Sequence, residues 1–295
     1  MSDPQLSVVV ASVNGLPGLG RCLEALTARS PEAEVIVADW TDDETRGRVL
    51  ETWPSVRLIS FDEPTTVPEL RAAAIACARA PYVAVIEDHC VVEDGWSRRI
   101  LSAHGRGHSV VGGSIRNGAT ARTRDWAAFF CEYSEHMEPA PAGPVGSLPG
   151  MNVSYDRSAI DAMGDLLREG RWETWLHPHL VRSGFELYSE PEAVLSHIQE
   201  LGVREFVSQR YHYSRSHAGI RNGELGWKRV VYLVGSPALI PLLYFRIARN
   251  VLSKRRHRGE FLLATPLILL YVSVWAFGEA VGYGFGGGRS LLRVR

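Results

Sequence analysis

The run Tyr82-Val83-Ala84-Val85-Ile86 carries no charge over five positions and passes directly into Glu87-Asp88-His89. A short, almost continuous apolar run, without the alternation of a half-solvated strand, fits a parallel strand covered on both faces. Leu6–Ser12, Glu34–Asp39 and residues 56–61 repeat that strand-like reading. Between them, Leu19, Cys22, Leu23 and Leu26 follow a helical spacing, and the alanine-rich residues 68–79 read as a second helix. Alternating strands and helices predict a doubly wound, Rossmann-like sheet with right-handed crossovers. Ligands bind such sheets at the carboxyl ends of strands, so Glu87, Asp88 and His89 are candidates by position; an acidic cluster there also serves as a helix cap.

Charge divides the chain. Residues 1–227 carry 21 Lys+Arg against 31 Asp+Glu, a net of −10, whereas residues 228–295 carry 11 against 2, a net of +9. A basic tail on an acidic body points to an anionic surface, and the apolar runs in the same tail favour membrane over nucleic acid. Residues 261–278 form an uncharged run of 18, about 27 Å as a helix and barely enough to cross a bilayer core. Residues 230–245 are interrupted by Pro237 and Pro241, and residues 246–258 hold six Lys+Arg between the two runs. If both runs spanned, this basic loop would oppose the positive-inside tendency; an interfacial or re-entrant first run, or a buried core hairpin, are the other readings. Cys22, Cys77, Cys90 and Cys131 show no C-x-x-C pair, so neither a zinc knuckle nor a disulfide framework is expected. The amino terminus lacks the basic region of a cleaved signal peptide, which places the main domain in the cytosol.

Beyond a further strand expected over residues 108–115, Trp126, Phe129, Phe130, Tyr133 and Met137 are spaced for one helix face and read as core packing. Residues 139–150, rich in proline and glycine, form a loop, either a lid over a site or a plain connector.

The Glu87-Asp88-His89 triplet, followed across Cys90 to Asp94 by Gly95-Trp96, resembles the DxD region of glycosyltransferase family 2. Further resemblances follow in order. Val10-Ala11-Ser12-Val13-Asn14 stands where the family shows Pro-x-aromatic-Asn, with Val13 in place of the aromatic. Asp39-Trp40-Thr41-Asp42-Asp43-Glu44-Thr45 is similar to the base-and-ribose signature, although these acids also suit a cap on the next helix. Arg71 matches an arginine in the helix before the metal strand, and Gly150-Met-Asn152 an element lining the acceptor side. The spacing from Glu173 to Gly184 equals that from the family's catalytic acid to a glycine, with Trp172 where a glutamate is usual. His197 follows Pro-Glu-Ala-Val as in many members, and Gln209-Arg210-Tyr211-His212-Tyr213 resembles the Gln-Arg-aromatic segment of membrane-associated members.

The resemblance implies a GT-A fold, an α/β architecture with a mostly parallel sheet flanked by helices, over residues 1–227, and a membrane-associated helical region over 228–295. It implies sugar transfer from a nucleotide-diphosphate donor to an acceptor hydroxyl or phosphate, with inversion, at the cytosolic face of the cell membrane. The acceptor would be lipid-linked or a polysaccharide, and no nucleic acid is involved. By resemblance Glu173 is the catalytic base; Ala11, Asn14, Asp39, Arg71, Glu87 and Asp88 line the nucleotide; His89, Asp88 and His197 hold the metal; and Gly150, Asn152, Gln209, Arg210 and Tyr213 meet acceptor or diphosphate. Oxygen ligands suit Mg2+ or Mn2+, and an imidazole leans the set toward Mn2+. The alternatives are a catalytically inactive membrane scaffold on the same fold and a nucleotidyltransferase. The loop Asn14-Gly-Leu-Pro-Gly18 has no Lys or Arg for the phosphates of the latter.

Overall fold

A computed structural model describes residues 3–294. The elements in chain order are β1 (Leu6–Ser12), α1 (Gly18–Arg29), β2 (Glu34–Asp39), α2 (Asp43–Thr52), β3 (Arg57–Ser60), α3 (Val67–Cys77), β4 (Tyr82–Glu87), β5 (Cys90–Val92), α4 (Trp96–Gly105), β6 (Val110–Gly112), β7 (Ile115–Asn117) and α5 (Thr123–Tyr133). There follow β8 (Gly143–Pro144), β9 (Val153–Asp156), α6 (Arg157–Arg168), α7 (Glu173–Arg182), β10 (Leu187–Ser189), β11 (Leu195–His197), α8 (Val203–Leu225), α9 (Lys228–Gly235), α10 (Leu239–Ser253) and α11 (Arg258–Phe285). They group into two compact units: the residues up to Gly118 with His136–Ile198, and Ala119–Glu135 with the residues from Gln199 onward. Composition places a division after residue 227; by packing, α5 and α8 instead join the apolar helices.

In the first unit an eight-stranded sheet has the order β3-β2-β1-β4-β9-β6-β10-β8. Strands β1 to β4 are mutually parallel and fully apolar at their centres, as the uninterrupted runs require. The register sets Ser12 beside Asp39 and Ala11 beside Glu87, so three carboxyl ends share one edge where the strand order reverses about β1. Antiparallel β9 then inserts between β4 and β6. The single strand expected over 108–115 is two: β6 stays in the large sheet, whereas β7 joins a small sheet of order β5-β11-β7. Local signals set the helix starts. Thr66 and Glu69 form a reciprocal capping box on α3, and Asp42 accepts from the Thr45 amide at 2.7 Å to cap α2.

The second unit is helical. Phe206 meets Tyr271 at 4.6 Å between ring centroids, Tyr211 meets Phe277 at 5.9 Å, and Asn222 donates to the Gly282 carbonyl at 2.8 Å, so α8 and α11 run parallel. Glycine permits their closeness: a Cβ on Gly278 would stand 2.0 Å from Ser214 Oγ, and one on Gly282 2.5 Å from the Arg215 carbonyl. The helix continues through the glycine-rich stretch as far as Phe285. On another side of α11, Tyr244 faces Thr265 and Phe261, and Tyr232 faces Tyr283, so α9 and α10 run antiparallel to it. The prolines do not break this arm. A short 3-10 turn, Ser236–Ala238, contains Pro237, and Pro241 sits in the first turn of α10, where its missing N–H has no intrahelical partner to lose. Lys228–Ser253 and Arg258–Phe285 are each long and apolar enough to cross a membrane by length and composition.

Candidate active site and metal centre

Glu87-Asp88-His89 is the turn by which the chain leaves the large sheet through β4 and enters the small one through β5. Antiparallel pairing of β5 with β11 sets Cys90 opposite His197, and the Ile198 amide donates to the His89 carbonyl at 3.0 Å. That pairing carries residue 197 to residue 89. His89 Nε2 lies 2.8 Å from His197 Nε2 and 3.4 Å from Glu87 Oε2, and ligand atoms of the three residues all fall within 4.8 Å of one another. Adjacent ligand atoms around an octahedral ion with bonds of about 2.1 Å stand about 3 Å apart, so the spacing fits a divalent cation. One carboxylate with two imidazoles is a mixed oxygen and nitrogen donor set, which suits Mn2+ better than Mg2+.

Asp88 takes a different part from the metal ligand expected of it. Its carboxylate is 1% exposed and already committed. Oδ2 accepts from the Val13 and Asn14 amides, both at 2.8 Å, and Oδ1 accepts from the Asn14 side chain at 2.9 Å. Oδ1 also stands 2.9 Å from His89 Nδ1. A carboxylate that takes the Nδ1 proton leaves the Nε2 lone pair directed at the ion, the usual outer support of a ligating histidine. Burial pushes the Asp88 carboxyl up, but the bonds from His89 and Asn14 outweigh it and hold it below the ordinary range. His197 is pushed well below the usual imidazole range, by burial first and by His89 second, and so is neutral as a ligand must be.

Arg71 joins this edge to Glu173. Buried on α3, it donates from one terminal nitrogen to Glu173 Oε1 at 2.5 Å and from the other to Glu87 Oε1 at 2.7 Å. Its guanidinium also lies over the Trp172 ring, 5.4 Å from the centroid, so the tryptophan standing where the family has glutamate stacks on the bridging cation. Burial opposes the Arg71 charge, yet Glu173 and Glu87 raise its pKa further above normal. Glu173 begins α7, where the macrodipole favours a carboxylate. A Cβ at position 150 would stand 2.5 Å from Glu173 Oε2, so Gly150 leaves that oxygen its space. Behind them, buried Tyr155 pairs its hydroxyl with His177 Nε2 at 2.8 Å, and a cavity lined by Arg71, Tyr155, Arg171 and Glu173 opens alongside. Nothing in the sequence pairs residue 155 with 177.

Ala11 and Asn14 lie at the end of β1 on the same edge. Asp39 ends β2, but its buried carboxylate accepts from the Thr41 amide and hydroxyl and from Arg46 Nε at 3.0 Å, which binds the turn to α2. Asn152, expected to meet a sugar, is completely buried. Its oxygen accepts from Trp96 Nε1 at 2.8 Å, and its nitrogen donates to the Ser114 and Ala193 carbonyls, both at 2.9 Å. Both N–H donors are used inside the fold and the oxygen is buried against Trp96, so the residue is a bracket between strands. Gln209, Arg210 and Tyr213 lie on α8 of the second unit. There Arg210 is buried, 3.8 Å from Glu132 and over the Trp275 ring at 4.1 Å.

A sequence model described as glycosyl transferase family 2 matches residues 7–163. The mannosyltransferase PcManGT from Pyrobaculum calidifontis, solved in complex with GDP-Man and Mn2+, is 13% identical with a TM-score of 0.57, over 94% of this chain and 87% of that one. GalNAc-T7, solved with UDP, GalNAc and Mn2+, is also 13% identical with a TM-score of 0.51, over 68% of this chain and 45% of that one. No curated protein matches the chain. At such identity the two structures speak for the fold alone, whereas the family match covers more than half the length and includes β1 through β4, the triplet, β9 and the start of α6. The chain belongs to glycosyl transferase family 2 and is a glycosyltransferase of GT-A fold.

Proposed function

We propose that the first unit transfers a sugar, with inversion, from a nucleotide-diphosphate donor to the hydroxyl or phosphate of a lipid-linked or polysaccharide acceptor at the cytosolic face of a membrane. The observation that carries this reading is one edge of the sheet holding a Glu-His-His cation site and, joined to it through Arg71, a carboxylate at a helix start. Glu87, His89 and His197 would hold a divalent ion, which when bound would offset charge on the diphosphate leaving group. Glu173 takes the acceptor proton as the acceptor oxygen bonds to the anomeric carbon and the bond from that carbon to the diphosphate breaks. Arg71 fixes one oxygen of Glu173 and leaves Oε2, beside Gly150, to receive the proton. Asn14 and the β1 and β2 ends line the nucleotide. The two structural relatives carry Mn2+ with GDP-Man or UDP, which makes those two nucleotides the first to try.

The test is calorimetric titration of the detergent-purified chain with GDP, UDP and dTDP, with and without Mn2+, beside Glu173→Gln. Metal-dependent binding of one nucleotide is expected, and the variant should bind it unchanged while turnover falls about 10²-fold or more. Unchanged turnover in the variant removes Glu173 from the base role. Failure of all three nucleotides to bind in the presence of Mn2+ overturns the proposal in favour of a non-catalytic scaffold.

A further inference from the structure

The helices of the second unit sort by chemistry. Among the described residues, eighteen large apolar side chains stand exposed, and fifteen of them lie between Trp227 and Phe285, including Val231, Phe245, Leu263 and Phe277. Among the described residues, α8 exposes none. It carries Arg204, Glu205, Arg210, Arg215 and Arg221 instead. These charges travel with α11, because the two helices run parallel in fixed register: Phe206 on Tyr271, Ser214 on Gly278, Ala218 on Gly282. Exposed Arg204 and Glu205 therefore stand beside the middle of the uncharged run 261–278.

This register decides between two ways of meeting a bilayer. If α11 crossed it, α8 would enter the bilayer beside the second half of the run, and exposed Arg204 and Glu205 would lie at hydrocarbon depth, where ionised side chains are among the costliest groups to place. The connection between α10 and α11 adds Lys254, Arg255, Arg256 and Arg258, and a spanning hairpin would carry these four cations to the far side, against the positive-inside tendency. Both costs vanish if the axes lie along the surface.

Resting on the membrane part of the function proposed above, we propose that α9, α10 and α11 lie in the plane of one leaflet. Their exposed apolar side chains enter the acyl region of a bilayer rich in anionic lipid, the cations of residues 254–258 sit at its phosphates, and α8 stays in water. Neither apolar helix crosses. The partner is a lipid surface, matched by exposed apolar area and by the net charge of +9 on residues 228–295.

The test adds the purified full chain to preformed, sealed vesicles of phosphatidylcholine with phosphatidylglycerol. Arg256→Cys at the hairpin connection and Arg289→Cys beyond α11 are made separately, in a background without Cys77 and Cys131, the two cysteines that are not fully buried. Equal labelling of both positions by a membrane-impermeant maleimide before detergent is expected. Labelling of position 289 with protection of position 256 until detergent is added means the hairpin spans, which overturns the in-plane arrangement and leaves the membrane reading standing. A chain that does not float with the vesicles loses the membrane reading and this inference with it. Arg255→Glu with Arg256→Glu should lower partition onto these vesicles by about tenfold or more and leave pure phosphatidylcholine unaffected, and equal loss on both refutes the phosphate contact.

Discussion

Arg71→Met places an apolar chain of similar length where one buried cation serves two carboxylates. Two charge-assisted hydrogen bonds disappear, at 2.5 Å to Glu173 and 2.7 Å to Glu87. Water cannot take over, because the Glu173 and Glu87 side chains are only 12% and 20% exposed. Removing one partner of a buried ion pair costs about 3 to 5 kcal/mol, most of it the penalty of the charge left behind. At about 2 to 4 °C per kcal/mol for a unit of this size, the melting temperature should drop by roughly 6 to 20 °C. Thermal unfolding in one detergent, followed by intrinsic tryptophan fluorescence, measures it. The same change combined with Glu173→Gln removes one orphaned charge and should recover about 1 to 3 kcal/mol. A single variant melting within about 2 °C of the parent, or a double variant with no recovery, would refute the reasoning.

Three further outcomes follow from other contacts. Asp88→Asn turns one of the two oxygens shared by four donors into an N–H donor, so His89 and the loop after β1 can no longer both be served; it should weaken Mn2+ binding about 10- to 100-fold, read by electron paramagnetic resonance of the free ion, and unchanged affinity removes Asp88 from that role. Asn152→Ala, which breaks the bracket between Trp96, Ser114 and Ala193, should cost about 2 to 4 kcal/mol in urea unfolding and leave nucleotide affinity intact, whereas lost affinity with normal stability would return Asn152 to the ligand. Burial pushes His104 and His177 down to about 4 from 6.5. The unfolded chain then binds more protons between those values, so stability is complete above about pH 6.5 and is lost as pH falls toward about 4. Each should remove about 2 kcal/mol between pH 7 and pH 5, and His104→Gln should abolish its share; equal slopes for parent and variant contradict the assignment.

The parallel half of the sheet was legible because β1, β2 and β4 are buried on both faces, which leaves apolar runs that need no long-range information. The other half was not. Gly112 and Ser114 differ by two positions, yet one side of Gly113 belongs to the large sheet and the other leads to β7 in the small one, and a change of sheet leaves no periodicity to read. Antiparallel β9 likewise looks like any short strand. In the site, Glu87 and His89 could be found from strand position, whereas His197 and Glu173 stood out only by resemblance, since the contacts that bring them in span more than a hundred residues. Asn152 carries no such signal, because an amide near a strand end reads alike whether it holds a sugar or three neighbours. Pro237 and Pro241 argued for a broken arm, but proline in a first helical turn is no obstacle.

Asp88 ties the loop after β1 and the His89 ring to a single carboxylate, so they are one mechanical body. A nucleotide that moved Asn14 would move the carboxylate and the imidazole with it, and an ion on the imidazole would be felt at Val13 and Asn14 through the same carboxylate. Thermodynamic reciprocity then requires whatever factor the ion contributes to nucleotide affinity to be returned in equal measure by the nucleotide to ion affinity. With both at this site, donor and ion would load and leave as a coupled pair rather than independently.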